Sequence, residues 1–405
     1  MRAVTIAAVG AVLLSANAAR ADGPPSAVYL VEAVGNRNEH TLGVADLAAG
    51  KTTDIIKSIP MGVQDEIAVD AATRRWAITF QQGWNGDPLF LDGKVLTEPA
   101  GVHAIVTGQL DTPGIVTLVG DPACHAKKRA CFETVIGFVG GGHLLVTRSE
   151  GSSWWMWNQR ALTAGAKPAP VVDKALARAG NSMTIGTDGK RVAYLGRKSD
   201  LWVTAWPAPA VVARPAKVKA AKKRVASPPL VMSDPSLIGD HIFYFRRNPD
   251  DQSGLIAAWD LVRNTEIEIF RFPDPAPVWR HRFLYSPTRG SVFFQHDATF
   301  ERADLYEVSL TTWQVKKVGA DVRELLDLSA DGRFLLCAAY GEPDAGKRKV
   351  FDQFLVVVDA DTGKEAKRLT LPYKLPRIHD ARFVTDLRAS GHERDVPSIP
   401  VPPPR

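Results

Sequence analysis

The feature that most constrains the fold is a pattern that recurs seven times along the chain. An apolar residue is followed four positions later by a small or polar residue, and in most copies a turn residue stands four positions beyond that. The copies are Leu42…Asp46…Gly50, Ile105…Gln109…Pro113, a looser Trp154…Asn158, Leu201…Ala205…Pro209, Ile256…Asp260…Asn264, Leu305…Ser309…Trp313 and Leu355…Asp359…Gly363. Their central residues run from position 46 to position 359 in six steps of about 52 residues, a spacing typical of propeller blades with four strands each.

Short turns between apolar runs mark a second hairpin ahead of most copies. These turns lie at residues 70–73, 187–190, 287–290 and 330–333. The Asp-Gly pairs at 188–189 and 331–332 are strong hairpin signals, because glycine adopts the positive φ that a tight turn requires. The repeats therefore predict an all-β fold: a seven-bladed β-propeller of four-stranded antiparallel blades.

The two ends of the repeat array complement each other. The first β-rich run, at residues 27–31, has the pattern of a second strand of a blade whose first strand is missing. One extra strand follows the seventh repeat, at residues 381–387. We therefore predict that the C-terminal strand completes the first blade and closes the ring, which also removes an exposed sheet edge.

Both termini differ in composition from the repeats. Residues 1–21 have a basic start, a short apolar stretch and a small-x-small site, which is the pattern of a cleaved signal peptide. Residues 22–390 form the predicted propeller domain, and residues 391–405 a Pro-rich flexible tail. The apolar stretch is too short to span a bilayer and none of about 18 residues follows. We therefore expect a periplasmic or secreted protein without a membrane span.

The net charge of +6 comes from two local sources. Arg2 and Arg20 leave with the signal peptide. One Lys-rich loop contributes five further positive charges, at Lys217, Lys219, Lys222, Lys223 and Arg224. The rest of the mature chain is nearly neutral, and the loop has no aromatic residues for stacking on bases. The charge distribution therefore excludes nucleic acid as the expected partner. Two interpretations of the Lys-rich loop remain: a solvated loop, or a loop that contacts an anionic lipid or polysaccharide surface.

Three cysteines allow one disulfide in an oxidising compartment. Cys124 and Cys131 can close a small loop, and we predict that they pair. Cys337 lies in an apolar run and is predicted to be a free core residue. The spacing of the pair is neither that of a Cys-x-x-Cys motif nor that of a haem-attachment site.

Several repeats resemble those of TolB-type and WD-repeat-like bacterial propellers. The resemblance is carried by the segments at 187–194, 303–308 and 329–335, and by the pair Trp259-Asp260, which stands where WD repeats have their characteristic dipeptide. It covers nearly all of the mature chain. It implies a propeller fold, but such propellers include scaffolds, binding proteins and enzymes, so the resemblance does not imply one function.

No catalytic residue, metal ligand or cofactor is predicted. The Gly-x-Ser-x-Gly motif of propeller-associated peptidases is absent. Metal-dependent lactonases resemble six-bladed propellers, which seven copies argue against. The nine histidines include no pair at ligand spacing. The acidic segment 359–363 is better interpreted as a hairpin turn than as a calcium loop, and Trp154, Trp155 and Trp157 as core residues rather than a sugar platform.

The distribution of loop lengths favours binding at one face. The loops between second and third strands are the long ones. We expect them on the same face as the connections between blades, which we predict to include the Cys124–Cys131 loop and the Lys-rich loop. The predicted binding residues on this loop-rich face are Trp84, Asn85, Asp87, Arg246, Arg247, His296 and Arg302. We expect a monomeric propeller that binds an unknown protein or cell-envelope partner without catalysis. The alternative is a propeller enzyme of oxidoreductase or lactonase type.

Overall fold

A computed structural model of the chain describes its strands and most of its tight turns. The described residues are 25–33, 39–59, 67–70, 73–80, 89–91, 94–97, 104–110, 116–118, 131–139, 143–150, 155–161, 169–170, 179–187, 191–196, 201–205, 223–226, 235–247, 253–272, 282–299, 302–341, 352–374 and 378–384. The predicted signal peptide and the predicted Pro-rich tail lie outside these ranges, so both stay predictions.

The described elements are all β-strands, and they form seven four-stranded antiparallel sheets. Sheet 1 consists of β30 (Ile378–Val384), β1 (Ser26–Ala33), β2 (Glu39–Asp46) and β3 (Lys51–Ile59). Sheet 2 consists of β4 (Ala68–Asp70), β5 (Arg75–Phe80), β8 (Ala104–Gln109) and β9 (Val116–Leu118). A separate hairpin, β6 (Leu89–Leu91) with β7 (Lys94–Thr97), lies between β5 and β8 in the chain. Sheet 3 consists of β10 (Cys131–Val139), β11 (His143–Glu150), β12 (Trp155–Ala161) and β13 (Ala169–Pro170).

The other four sheets are simple meanders in chain order. Sheet 4 consists of β14 (Ala179–Ile185), β15 (Arg191–Gly196), β16 (Leu201–Ala205) and β17 (Lys223–Ala226). Sheet 5 consists of β18 (Ser236–Ile238), β19 (His241–Arg247), β20 (Gly254–Asp260) and β21 (Thr265–Phe272). Sheet 6 consists of β22 (Leu284–Ser286), β23 (Ser291–Thr299), β24 (Arg302–Ser309) and β25 (Val315–Val322). Sheet 7 consists of β26 (Glu324–Leu328), β27 (Phe334–Tyr340), β28 (Asp352–Asp359) and β29 (Glu365–Lys374). The predicted all-β class and antiparallel pairing are confirmed.

Sheet 1 contains both the first and the last described strands of the chain. In it β30 runs antiparallel to β1, with Tyr29 opposite Ala381 and Ala27 opposite Phe383. The segment around Tyr29 is therefore the second strand of its sheet, and the segment around Phe383 supplies the first. A register shift between Leu30 and Val31 leaves His379 without an opposing residue, as in a β-bulge.

The repeat seen in the sequence corresponds to the end of the third strand of each sheet. Six of its seven central residues, Asp46, Gln109, Ala205, Asp260, Ser309 and Asp359, are the last residues of β2, β8, β16, β20, β24 and β28. The carboxylate of Asp359 accepts hydrogen bonds from the amides of Asp361 and Thr362 at 3.0 Å, and Asp260 accepts from the amides of Val262 and Arg263. These side chains satisfy backbone groups of the turn, which confirms the hairpin-turn interpretation of 359–363.

Apolar side chains pack consecutive sheets against one another. Trp76, Ile78 and Val106 of sheet 2 share a buried cluster with Val28 and Leu30 of sheet 1. Comparable clusters join sheet 2 to 3, 4 to 5, 5 to 6 and 6 to 7, and another joins sheet 7 to sheet 1; sheets 3 and 4 meet through β12 and β14. The first strands of several neighbouring sheets also contact each other, β22 with β26 and β26 with β30 among them. We call these first strands the inner strands.

A side chain from one sheet accepts an inner-strand amide of the next sheet at four junctions. Asp380 of sheet 1 accepts from Ile67, Thr79 of sheet 2 from Val135, Gln295 of sheet 6 from Leu325, and Asp327 of sheet 7 from Phe383. An inner strand has no neighbour on its inner side, so some of its amides need other acceptors. These four bonds supply such acceptors and fix neighbouring sheets to one another.

Two loops predicted from the sequence are placed differently by the structure. His296 was expected in a loop running to Arg302, but it lies within β23, which extends to Thr299. Gln295 and His296 are polar, yet Gln295 accepts the amide of Leu325 in sheet 7 and His296 packs on Phe272 in sheet 5, so both are accommodated within the strand. The Lys-rich segment was expected between blades, but Lys223 and Arg224 begin β17, the last strand of sheet 4. Its loop therefore joins the third and fourth strands and emerges at the opposite end of the sheet. Charged residues are well tolerated in such an edge strand.

The cysteine predictions have separate outcomes. Cys337 is free and fully buried in β27, as predicted, and burial raises the pKa of its thiol. Cys131 begins β10, whereas Cys124 lies outside the described residues. The Cys124–Cys131 disulfide has no support here and stays a prediction.

Candidate functional site

The two ends of the sheets differ in the length of their connections. Turns from first to second strands are short, as between β22 and β23, and so are most turns from third to fourth strands. The chain between β5 and β8 is much longer and contains the β6–β7 hairpin. The connections 119–130, 273–281 and 341–351 emerge at the same end. Because the inner strands begin at this loop-rich end, side chains at their N-termini are the first place to look for a site.

A cluster of four charged side chains lies along the inner strands of sheets 6, 7 and 1. We call it the axial cluster: Arg282, Asp327, Asp380 and Arg382. The Arg282 guanidinium donates through Nη1 to Asp380 Oδ1 at 2.7 Å and to the carbonyl of Leu326 at 2.9 Å. Arg282 precedes β22 in sheet 6, so its side chain reaches across sheet 7 to sheet 1. Arg382 donates through Nε to Asp380 Oδ2 at 3.1 Å.

Asp380 is the centre of this cluster and is fully buried. Its Oδ2 also accepts the amide of Ile67 at 2.8 Å, so both carboxylate oxygens are bonded. Burial acts to raise the pKa of Asp380, but the positive charges of Arg282 and Arg382 and the Ile67 hydrogen bond outweigh it, and the net shift is downward. Asp380 is therefore ionised at neutral pH, and its negative charge is held by donors from three sheets.

The pKa of Asp327 is shifted upward, in the direction opposite to that of Asp380. Burial raises its pKa and the negative charge of Asp380 adds to this, while Arg382 and two backbone amides act against it. Its Oδ2 accepts the amide of Phe383 at 2.7 Å. Two carboxyl groups with pKa values shifted in opposite directions are an arrangement that can serve acid–base chemistry. In this cluster, however, both carboxylates also hold backbone amides of inner strands.

A pair of buried histidines, His40 and His379, lies at the loop-rich end of sheet 1. His40 is the second residue of β2, and His379 occupies the bulge in β30; their Nε2 atoms are 3.1 Å apart. The strands β2 and β30 lie on the two sides of β1, so the two side chains approach each other from either side of that strand. The pair is not evident from the sequence, because the two residues are 339 positions apart.

Arg246, a predicted binding residue, is engaged inside sheet 5. Its Nη2 and Nε donate to Glu266 at 2.7 to 3.2 Å, and its side chain is only 14% exposed. The same carboxylate accepts the hydroxyl of Tyr244, whose pKa is raised by burial and by the charge of Glu266. Arg246 is thus a strand residue near the loop-rich end, with its charge already paired. Arg247 is the last residue of β19.

The two predicted binding residues of sheet 6, His296 and Arg302, differ in how exposed their side chains are. His296 stacks on Phe272 with ring centroids 3.8 Å apart, and burial lowers its pKa against the opposing effect of Asp304. His296 is therefore neutral at pH 7 and packed. Arg302 is 68% exposed and makes a 3.6 Å ion pair with Asp321. Of the described candidates, Arg302 presents the more accessible charge.

The remaining predicted residues are not tested by the described structure. Trp84, Asn85 and Asp87 lie outside the described residues, in the stretch between β5 and β6. Trp155 and Trp157 belong to β12, as a strand assignment requires, while Trp154 lies outside.

Two features are absent from the described residues: a metal-binding group and a membrane-spanning helix. No group of three or more His, Cys, Asp or Glu side chains in them is arranged to hold a metal ion. Within the same residues, no helix has the length and apolar character needed to cross a membrane.

Comparisons with known proteins identify the fold. No family model matches the sequence. No curated protein matches it either. Solved structures do match: a candidate 6-phosphogluconolactonase of Bacteroides fragilis has a TM-score of 0.50 at 12% identity, covering 90% of this chain and 99% of that one. The corresponding protein of Bacteroides uniformis has a TM-score of 0.51 at 11% identity, with 89% and 100% covered. The periplasmic gluconolactonase PpgL of Pseudomonas aeruginosa has a TM-score of 0.50 at 14% identity, with 89% and 99% covered.

At sequence identities of 11 to 14%, these similarities show a shared fold and do not show a shared activity. TolB proteins and a WD40 domain are also among the matches, with TM-scores of 0.37 to 0.41. The three structures with TM-scores of 0.50 and 0.51 support the fold described above, whereas membership of the TolB-type family that the repeats resemble is not established.

Proposed function

We propose that this chain is an exported, closed seven-bladed propeller that binds a partner at its loop-rich end without catalysis. The seven four-stranded sheets, the packing of each sheet on the next and the pairing of β30 with β1 support the closed ring. The signal-like segment at residues 1–21 supports export.

The observation that carries this proposal is the engagement of the axial carboxylates. Asp380 uses both oxygens to bind Arg282, Arg382 and the amide of Ile67, and Asp327 holds the amide of Phe383. A general base needs an accessible oxygen close to the proton that it removes. Both carboxylates instead stabilise the ring, so the variable part of the molecule is the set of long connections. Loops on a rigid scaffold are where binding residues are usually found.

The partner-binding hypothesis predicts that substitutions at the loop-rich end weaken partner affinity and that substitutions at the opposite end do not. Replacing Trp84 and Arg247 with alanine is expected to weaken partner affinity by tenfold or more, since a large aromatic or an arginine at an interface contributes about 2 kcal/mol or more. The matched control replaces Thr311 and Lys364, which are exposed turn residues at the opposite end. The partner is first captured from periplasmic extract with the mature protein, and its affinity for each variant is then measured by calorimetry. Loss of affinity in the control variant, with none in the Trp84–Arg247 variant, contradicts the proposal.

A second candidate function is lactone hydrolysis. Two observations favour it: three solved structures with TM-scores of at least 0.50 that carry lactonase names, and the opposite pKa shifts of Asp327 and Asp380. The assay measures hydrolysis of glucono-1,5-lactone and of its 6-phosphate by the purified protein. We expect no acceleration over the buffer rate. Turnover that Asp327→Asn abolishes without changing the melting temperature would replace the binding hypothesis with this one.

A further inference from the structure

The His40–His379 pair has a geometry that a hydrogen bond alone does not require. Both side chains are buried, at 5% and 8% exposure, and their Nε2 atoms face each other at 3.1 Å. The ring planes are inclined at 50° with centroids 4.7 Å apart, so the rings converge at their nitrogens rather than stacking. Each nitrogen is carried by a different strand of sheet 1, with β1 between them.

This spacing is that of two imidazole ligands on one metal ion. Zinc–nitrogen bonds are about 2.0–2.1 Å long, and two such bonds whose nitrogens are 3.1 Å apart enclose an angle of about 98°. That angle lies between the 90° of neighbouring ligands in square-planar or octahedral sites and the tetrahedral value. We propose that His40 and His379 are the protein ligands of a site for a divalent transition metal that prefers imidazole: Zn²⁺, Ni²⁺ or Cu²⁺.

The chemistry of the pair limits which metals can bind. Zinc, copper and nickel bind neutral imidazole well, whereas magnesium and calcium bind mainly oxygen ligands. Among the described residues, His40 and His379 are not joined by a third His, Cys, Asp or Glu in a metal-binding group, so the proposal names these two imidazoles as ligands and no others. Copper should bind most tightly of the three, following the general order of divalent metal affinities.

A metal at this position would join the two ends of the chain. His40 lies on β2, near the N-terminal end of the propeller, and His379 on β30, the strand that completes sheet 1. A ligand that binds only the folded state raises its stability in proportion to the logarithm of the ligand concentration over Kd. The site therefore predicts a metal-dependent melting temperature as well as direct binding.

The test uses the mature protein without a histidine tag, freed of metal with EDTA. Titration with ZnCl₂ and with NiCl₂ is expected to show one equivalent bound and a rise in melting temperature that EDTA reverses, while MgCl₂ has no effect. His40→Gln and His379→Gln should each weaken zinc binding at least about tenfold, because each removes one of two protein ligands. His296→Gln is the matched control, since that ring is stacked on Phe272 in another sheet.

Either of two outcomes overturns the proposal. One is a wild-type protein that binds neither zinc nor nickel, as expected when one neutral ring simply donates a hydrogen bond to the other. The other is unchanged metal affinity in both glutamine variants. If those variants fail to fold, copper-loaded wild-type protein decides by electron paramagnetic resonance: two equivalent imidazole nitrogens support the site, and a spectrum without them contradicts it.

Discussion

Replacing Asp380 with alanine should destabilise the protein by about 3–5 kcal/mol, because it leaves the buried charge of Arg282 without its carboxylate. Arg282 is only 12% exposed, and Asp380 is not exposed at all. The substitution also removes the acceptor of the Ile67 amide and so breaks a junction between sheets 1 and 2. Urea unfolding followed by tryptophan fluorescence measures the change.

Arg302→Ala is the matched control for this prediction. Its ion pair with Asp321 joins side chains that are 68% and 77% exposed, and such pairs contribute about 0–1 kcal/mol. A double variant, Arg282→Met with Asp380→Leu, should be less destabilised than Asp380→Ala alone, since it buries no unpaired charge. Equal effects of Asp380→Ala and Arg302→Ala would show that the axial cluster does not hold the sheets together.

The pH dependence of stability separates the two axial carboxyl groups. The pKa of Asp380 is lowered in the folded state, so its contribution is present above the unfolded value of about 3.9 and is lost as pH falls through the folded value. Acid therefore destabilises the wild type more than Asp380→Ala. The pKa of Asp327 is raised, so its ionisation opposes folding as pH rises above about 3.9.

Replacing Gly363 with alanine should destabilise the protein far more than the same change at Gly50. Both glycines end equivalent turns, with φ of +69° and +68°, and each backbone N–H donates to the backbone carbonyl of the aspartate that ends the preceding strand. The positive φ costs an L-residue about 1–2 kcal/mol at either position. At Gly363 a Cβ would also lie 2.4 Å from the carbonyl oxygen of Val318 in sheet 6, whereas at Gly50 the nearest atom is the end of the Lys367 side chain at 3.7 Å.

The difference between these two glycines reports on the contact between sheets 6 and 7. Relief of the clash requires the turn or β25 to move, which adds about 1–3 kcal/mol by analogy with overpacked cores. Thermal or urea unfolding of the two variants measures it. Equal destabilisation would mean that the turn of sheet 7 does not pack on β25 as described.

The sequence predicted the repeating part of the fold because that part is encoded locally. Asp46, Asp260 and Asp359 recur at the ends of third strands since each turn needs an acceptor for its own amides. The same locality explains the short turns ahead of β5, β15, β23 and β27. The C-terminal end of β23 was mispredicted, because the polar residues from His296 onward resemble a loop until their partners in other strands are known.

The candidate site could not be predicted in the same way. Arg282 and Asp380 are 98 positions apart, and His40 and His379 are 339 apart, so only closure of sheet 1 brings each pair together. One signal was present: a histidine and an aspartate stand at positions 379 and 380, just ahead of the extra strand predicted at 381–387, and an arginine stands within it at position 382. Charged residues in a strand expected to be central need buried partners, and this points to a polar network even where its members cannot be named.

The claim on which the whole account depends is that the C-terminal strand pairs with the first strand in one closed ring, and cysteine cross-linking tests it most directly. Ser26 and Val384 are partners in β1 and β30, and such pairs have Cα atoms about 4.5–5.5 Å apart, within disulfide range. In a protein with Cys124 and Cys131 changed to serine, Ser26→Cys with Val384→Cys should oxidise to a single disulfide, found by mass mapping. Ser26→Cys with Glu268→Cys, an exposed residue of sheet 5, should stay reduced. A reduced Ser26–Val384 variant, or equal cross-linking of both variants, would contradict the closed ring.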